Sequence, residues 1–301
     1  MRRRCLRKLK ILITGAEGCL GKPLVQFLKS RGWEVVATDI VGDAEYLDVT
    51  DEANVLNVFR RCKPNVVVHY AARAEPCITS FADVSEDVIV NILGTRNVLE
   101  GCKEVGAKLI YASSAAVYGD LYMKTRKPIS EDDNVEPVNP YGVDKAAAEN
   151  YIRLYARNFG VDYVILRFGN VYSWNDRKYL LWNLFKAVTE KKQFKLYGGG
   201  EMVRDFVYVE DVNELVEKLL TAASCDVFNV GHEPLRIKDV VREVLLKFGS
   251  ADVVTLRPRV GEQREVVLDW SKAVRMLGWT PKAKLFDKIG EIFDEFRRSA
   301  K

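Results

Sequence analysis

Tyr141 and Lys145, within Asn139-Pro140-Tyr141-Gly142-Val143-Asp144-Lys145, are the pair in this 301-residue chain best suited to acid–base chemistry. On a helix, residues four apart share one face about a turn from each other. An ammonium beside a phenol favours phenolate and lowers the tyrosine from its free value of about 10. That would make Tyr141 a general base near neutral pH. Upstream, the apolar run 108–112 leads into Ser113-Ser114-Ala115-Ala116-Val117-Tyr118-Gly119, where the Ser114 hydroxyl can hold the same substrate oxygen. The spacing Y-x-x-x-K alone is common on helix surfaces. It gains meaning from the serine-bearing strand end before it and from a glycine-rich turn far upstream.

That turn is Thr14-Gly15-Ala16-Glu17-Gly18-Cys19-Leu20-Gly21, between an apolar run at 9–13 and a helical pattern at 22–31. Gly15 permits a tight strand-to-helix turn, Gly18 lets backbone approach a pyrophosphate, and Gly21 lets helix and strand pack closely. The helix start then offers amides and a favourable dipole to phosphates. A second apolar run, 34–38, ends in Asp39, 18 residues after Gly21. A carboxylate there accepts from adenosine ribose hydroxyls and repels a 2′-phosphate, which points to NAD rather than NADP. Lys145 can then also bond the nicotinamide ribose.

The elements that must carry these residues follow from the pattern of the chain. Strands are expected at 10–14, 35–39, 66–70, 109–113 and 163–168, with helices at 22–30, 51–61, 88–105 and 141–158 between them. Several strand runs are apolar throughout, as when both faces of a parallel sheet are covered. Alternation of this kind implies an α/β doubly wound parallel sheet, with ligands outside the carboxyl ends of its strands. Asp48 could bond an adenine amino group, Asp51 suits a helix cap, and the small pair Ala71 and Ala72 suits close passage of a cofactor. His69 reads as a packed core histidine. Short apolar strands at 206–209 and 227–230 are expected to return to the nucleotide-binding unit.

Apolar residues make up 48% and charged residues 29% of the chain, as in ordinary globular proteins. The net charge of +4 owes much to Arg2, Arg3, Arg4, Arg7, Lys8 and Lys10. Without those six, 40 basic residues face 42 acidic ones, so a solvated basic tail is expected and no nucleic-acid partner. Lys8 and Lys10 interrupt any signal peptide, and no run reaches the length of a membrane span, so a cytoplasmic location is expected. Six scattered cysteines, without C-x-x-C and with only two histidines, argue for reduced thiols and no metal.

Together these residues resemble the extended short-chain dehydrogenase/reductases, in particular the NAD-dependent nucleotide-sugar epimerase/dehydratase family. The matching pieces are TGAEGCLG at 14–21, DVTD at 48–51, HYAA at 69–72, NILGTRNVLE at 91–100, SSAAVYG at 113–119 and NPYGVDKAAAE at 139–149. LRFGNVY at 166–172, LYGGGEMVRDFVYVEDV at 196–212, GEQREVVLD at 261–269 and SKAVRMLGW at 271–279 follow in order. The resemblance implies a Rossmann-type sheet with a smaller C-terminal domain that closes over a nucleoside diphosphate sugar. It places 1–170 and 206–232 in the first unit, and 171–205 and 233–301 in the second. For the cofactor it implies Gly15, Gly18, Cys19, Leu20, Gly21, Asp39, Ile40, Asp48, Val49, Ala71, Ala72, Asn91, Ser113, Tyr141 and Lys145. For the substrate it implies Ser114 and Tyr141, Asn170 at the pyrophosphate, Tyr197 on the base, and Arg204 and Arg264 at the diphosphate and ribose. A homodimer through helices 88–105 and 141–158 is implied as well.

Dehydratases of the family carry an acidic pair after the catalytic Ser or Thr, and its decarboxylases usually keep the second acid. Here those positions are Ala115 and Ala116. Ser114, Tyr141 and Lys145 remain, enough for reversible hydride transfer, as in the UDP-galactose (UDP-glucose) 4-epimerases. A 4-keto-sugar reductase is the nearest rival, opposed by Asp39 where NADPH is the reductant. A dinucleotide sensor without activity would have no use for the tyrosine base. Two departures touch the sugar pocket: Ser173-Trp174-Asn175 stands where many relatives have Gly-Pro, and Arg73 and Glu75 bring charge towards the cleft.

Overall fold

The computed structural model describes residues 9–74, 81–222 and 225–299, so the basic segment before Leu9 and Glu75 lie outside the described residues. Seven strands form one sheet. They are β1 (Lys10–Thr14), β2 (Glu34–Asp39), β3 (Glu45–Tyr46), β4 (Val66–His69), β5 (Lys108–Ser114), β6 (Tyr163–Phe168) and, late in the chain, Asp226–Val230. Every neighbouring pair is parallel. The order, β3-β2-β1-β4-β5-β6 and then Asp226–Val230, reverses direction between β1 and β4. Two adjacent strands whose connections leave in opposite senses open a crevice at their carboxyl ends. This is the expected doubly wound, Rossmann-type sheet.

Alternate residues of one strand serve opposite faces. Ile11 and Ile13 of β1 join Leu24, Leu28, Val216 and Trp279 on one side of the sheet. Leu12 joins Phe59, Val98, Leu99 and Tyr155 on the other. Both β4 and β6 are buried along their whole length, which explains why apolar residues occupy both faces of each. The helices of this half of the chain are α1 (Gly21–Ser30), α2 (Glu52–Cys62), α3 (Phe81–Val88), α4 (Gly94–Val105), α5 (Leu121–Thr125) and α6 (Pro140–Phe159). The Asp51 carboxylate caps α2 through the Asn54 amide. Asn139 caps α6, Pro140 opens it, and Gly160 closes it with φ of +71°.

Two expectations change. The helix foreseen over 88–105 is interrupted by a π turn, Ile89–Leu93, between α3 and α4. The segment 206–209, expected to return to the nucleotide-binding unit, does not pair into the large sheet, although Val207 packs in the core on one of its faces. As β9 (Val203–Tyr208) it lies between β7 (Asn170–Tyr172) and β11 (Glu233–Arg236) in a separate three-stranded sheet. The other returning strand, Asp226–Val230, numbered β10, does pair with β6. A third core, around Phe185, Phe293 and Phe296, fills the space among α7 (Leu180–Glu190), α9 (Ile237–Phe248) and α11 (Leu285–Ser299). Between α7 and α9 the chain also makes β8 (Gln193–Tyr197) and α8 (Val209–Leu219). Strand β12 (Asp252–Leu256) pairs with β8, and α10 (Ser271–Leu277) precedes α11. Among the described residues no helix is long and apolar enough to cross a membrane, and no group of three metal-ligating side chains gathers.

Candidate active site

The glycine turn is as tight as its spacing suggests. A Cβ on Gly21 would lie 2.0 Å from the Gly15 carbonyl oxygen, and one on Gly15, at φ +68°, would lie 2.6 Å from the Ala71 amide. No side chain caps α1 and no acid sits in its first turn, so no carboxylate of the helix competes with an anion at its start. At the β2 end the Asp39 carboxylate accepts from the Glu17 amide at 2.9 Å and the Ile40 amide at 2.7 Å. It is thereby held beside the turn. Ile40 itself is exposed. An uncapped helix start, glycines too crowded for any Cβ and a fixed carboxylate fit the pyrophosphate and ribose of a dinucleotide.

Other residues expected around the cofactor are held by the protein itself. Asp48 accepts from the Thr50 amide and hydroxyl at 2.9 and 2.7 Å. Val49 is buried, and Ala71 donates to the Thr14 hydroxyl. Ala72 follows in the same open segment. Asn91, on the π turn, pairs in both directions with the Arg73 backbone at 2.9 Å, and its amide lies 3.3 Å from Asp144. The turn therefore ties the strand-end segment after β4 to α6. Arg73 is matched by Asp87 at 2.8 Å and Glu86 at 3.0 Å. His69 is buried between the Thr14 and Thr95 hydroxyls; burial, then the charge of Lys145, pushes it down to about 3. It is a packed, neutral core histidine.

Ser114 ends β5 and caps the short 3-10 turn Ala115–Tyr118 by accepting from the Ala116 amide at 3.1 Å. Its hydroxyl also faces the Tyr141 phenol. Helix α6 can come this close because residue 142 is glycine: a Cβ there would lie 2.5 Å from the Ala116 carbonyl oxygen. Lys145 donates to the Ala112 carbonyl at 2.7 Å, with its ammonium 5.6 Å from the Tyr141 ring centre and 4.8 Å from that of Tyr111. The expected lowering of the tyrosine is reversed in the ligand-free protein. Burial pushes Tyr141 up to about 12, against the Ser114 hydroxyl, which works to lower it, with Asp144 adding to the rise. Burial likewise drives Lys145 down to about 7. Both changes have one cause: a desolvated pocket penalises either charge until another charge enters.

Sequence reasoning missed the layer beneath. Glu149 lies one further helical step beyond Tyr141 and Lys145 and is almost wholly buried. It receives both arms of Arg167 at 2.7 and 2.9 Å and the Ser113 hydroxyl at 2.6 Å. Arg167 reaches on to Tyr118, and Tyr118 to Asn229 of β10. Burial works against the Glu149 carboxylate, but Arg167 keeps it below its ordinary range. The available signals were the 141, 145, 149 spacing and a charge inside the apolar run of β6.

In the second half, a cavity of 510 Å3 opens among Asp120, Met123, Gly198, Met202, Arg259 and Arg264. Arg264 is exposed at its wall. The Arg259 guanidinium lies 4.7 Å from the Tyr197 ring centre. Arg204 instead donates to the backbone oxygens of Gln263 at 2.7 Å and Val203 at 3.0 Å, holding the strap that carries Arg264. Asn170 is exposed at the start of β7.

Comparison with known proteins gives this geometry a context. The model of the NAD dependent epimerase/dehydratase family matches residues 11–231. A UDP-glucose 4-epimerase of Mycolicibacterium smegmatis is 29% identical over 97% of this chain and 100% of its own. The UDP-glucose 4-epimerase of Thermus thermophilus, solved with NAD, superposes with a TM-score of 0.89 at 30% identity, over 96% of this chain and 99% of its own. The UDP-glucuronic acid 4-epimerase of Bacillus cereus, solved with UDP-glucuronic acid and NAD, does so at 0.88 and 27%, over 97% and 100%.

Proposed function

The chain belongs to the NAD dependent epimerase/dehydratase family, and from that premise we propose that it is a nucleotide-sugar 4-epimerase of the UDP-glucose/UDP-galactose type. Its cofactor is NAD. The observation that carries the choice of reaction is the pair Ala115 and Ala116, each 4% exposed directly after Ser114. Methyl groups there transfer no protons, so elimination across C5 and C6 of a sugar lacks its acid and base. Chemistry at C4 alone needs only the groups that remain.

Tyr141 removes the proton of the sugar 4-hydroxyl and later returns one. Ser114 bonds the same oxygen throughout. Lys145, anchored on the Ala112 carbonyl, holds the nicotinamide ribose. When bound, NAD supplies a reversible hydride acceptor and a positively charged ring, which favours phenolate at Tyr141 in a pocket that otherwise suppresses it. A 4-keto sugar that turned over in the cleft would present its other face for return of the hydride, so the two C4 epimers would interconvert. Arg264 binds the diphosphate side, on the strap that Arg204 holds, with Tyr197 on the base and Asn170 at the pyrophosphate, in a substrate unit of 171–205 and 233–301 set against 1–170 and 206–232.

The enzyme works as a homodimer through residues 88–105, which include the π turn, and through α6. Supporting this, Ile89, Leu93, Val143, Tyr151 and Leu154 expose apolar side chains there. The test of the reaction is incubation with UDP-galactose and catalytic NAD, followed by NMR. UDP-glucose without accumulated NADH is expected. No conversion by protein that binds NAD would replace this reading with a 4-keto-sugar reductase, scored by NADH oxidation.

A further inference from the structure

The segment Ser173-Trp174-Asn175-Asp176, which follows β7, reaches across to the glycine turn more than a hundred and fifty positions earlier. The Asn175 side-chain amide donates to the Gly18 carbonyl at 3.0 Å and to the Glu17 carbonyl at 3.3 Å. Asn175 is 6% exposed, and Ser173 is wholly buried. The Ser173 hydroxyl accepts the Asn175 amide at 3.1 Å. The Asp176 carboxylate fixes the far side of the segment by accepting the Lys178 and Tyr179 amides at 2.9 Å. Two consecutive carbonyls of the turn, those of Glu17 and Gly18, are thus held by one buried segment from the other half of the chain.

In a planar trans peptide the carbonyl and the amide point opposite ways. The Gly18 carbonyl is taken by Asn175 and by the Lys22 amide at 3.2 Å, so the Cys19 amide on the same peptide points out of the start of α1. That is the direction from which an anion meets a helix N-terminus. We propose that Asn175 is a positioning residue for the cofactor. By fixing the peptides after Glu17 and Gly18 it presets the amides that receive the NAD pyrophosphate, and it slows loss of NAD from the protein. Asn175 need not touch the cofactor. The proposal concerns NAD binding alone and stands or falls independently of which sugar is turned over.

The experiment compares Asn175→Ala and Asn175→Asp with the unaltered protein. The second keeps the shape of the side chain but lacks its donors. Titration calorimetry with NAD, ADP-ribose and adenosine separates ligands that carry the pyrophosphate from one that does not. The expected result is a loss of about tenfold or more for NAD and ADP-ribose, the effect of one or two hydrogen bonds to a buried carbonyl. Adenosine should change by less than about twofold, and variant holoprotein should shed NAD faster on dialysis. Unchanged NAD affinity in either folded variant would overturn the proposal, as would an equal loss for all three ligands.

Discussion

At the level of single residues, the site is built to be electrically quiet until loaded. Tyr141, raised to about 12, and Lys145, lowered to about 7, are both disfavoured as ions by the same burial. In protein freed of NAD, the 295 nm absorbance that distinguishes the native chain from Tyr141→Phe should therefore rise only towards pH 12; a difference already present at pH 9 would contradict this. Turnover of Tyr141→Phe should fall by roughly 10²–10⁴-fold, with NAD still bound, as read by chromatography of the sugar nucleotides. Lys145 also leaves a trace in stability. Its folded value lies below the unfolded value of 10.5, so between about pH 7 and 10 the unfolded chain holds a proton that the folded one has released. Stability should rise with pH across that window and carry its full penalty below it. Lys145→Met should flatten that part of the slope in urea titrations of NAD-free protein. The pair itself was legible from spacing. Its ionisation was not, because burial is set by Tyr111, Ala112 and the strands around them, which no local pattern reveals.

Among the elements, α6 matters most, because its first turn must press Tyr141 against the end of β5. Gly142 permits this approach. Gly142→Ala should push the helix away from the 115–118 turn and lower turnover while leaving NAD affinity nearly intact. Loss of both together would point to collapse of the turn instead. The Asn139→Ala substitution removes the cap on the Gly142 amide and should cost about 1 kcal/mol, visible as a lower Tm with little change in KM. Strands of the large sheet could be read from the chain because residues such as Val66, Val67 and Val68 are apolar on both faces. The destination of β9 could not. An apolar run states that a strand is covered, and its partners, here Asn170–Tyr172 and Glu233–Arg236, are fixed by contacts distant in sequence. The π turn escaped for a related reason: Asn91 bulges towards Arg73 and Asp144, and helical periodicity carries no record of that pull.

For the molecule as a whole, the exposed apolar side chains of the π turn and of α6 make assembly measurable. Light scattering should report a dimer, and the double substitution Ile89→Glu with Leu154→Glu should give a folded monomer. A monomeric native protein would remove the assembly from the proposed function. The tie between Asn175 and Gly18 spans 157 positions of the chain, and this has a consequence for biosynthesis. A ribosome adds about 5–20 residues per second. On the order of ten seconds or more therefore separates the making of the turn from the making of the residue that holds it. Strand β10, which borders β6 in the large sheet, is made later still. A nascent chain stalled before residue 175 would display every glycine of the turn without the bonds that fix it, so the grip on NAD is finished late in translation rather than as the first strands emerge.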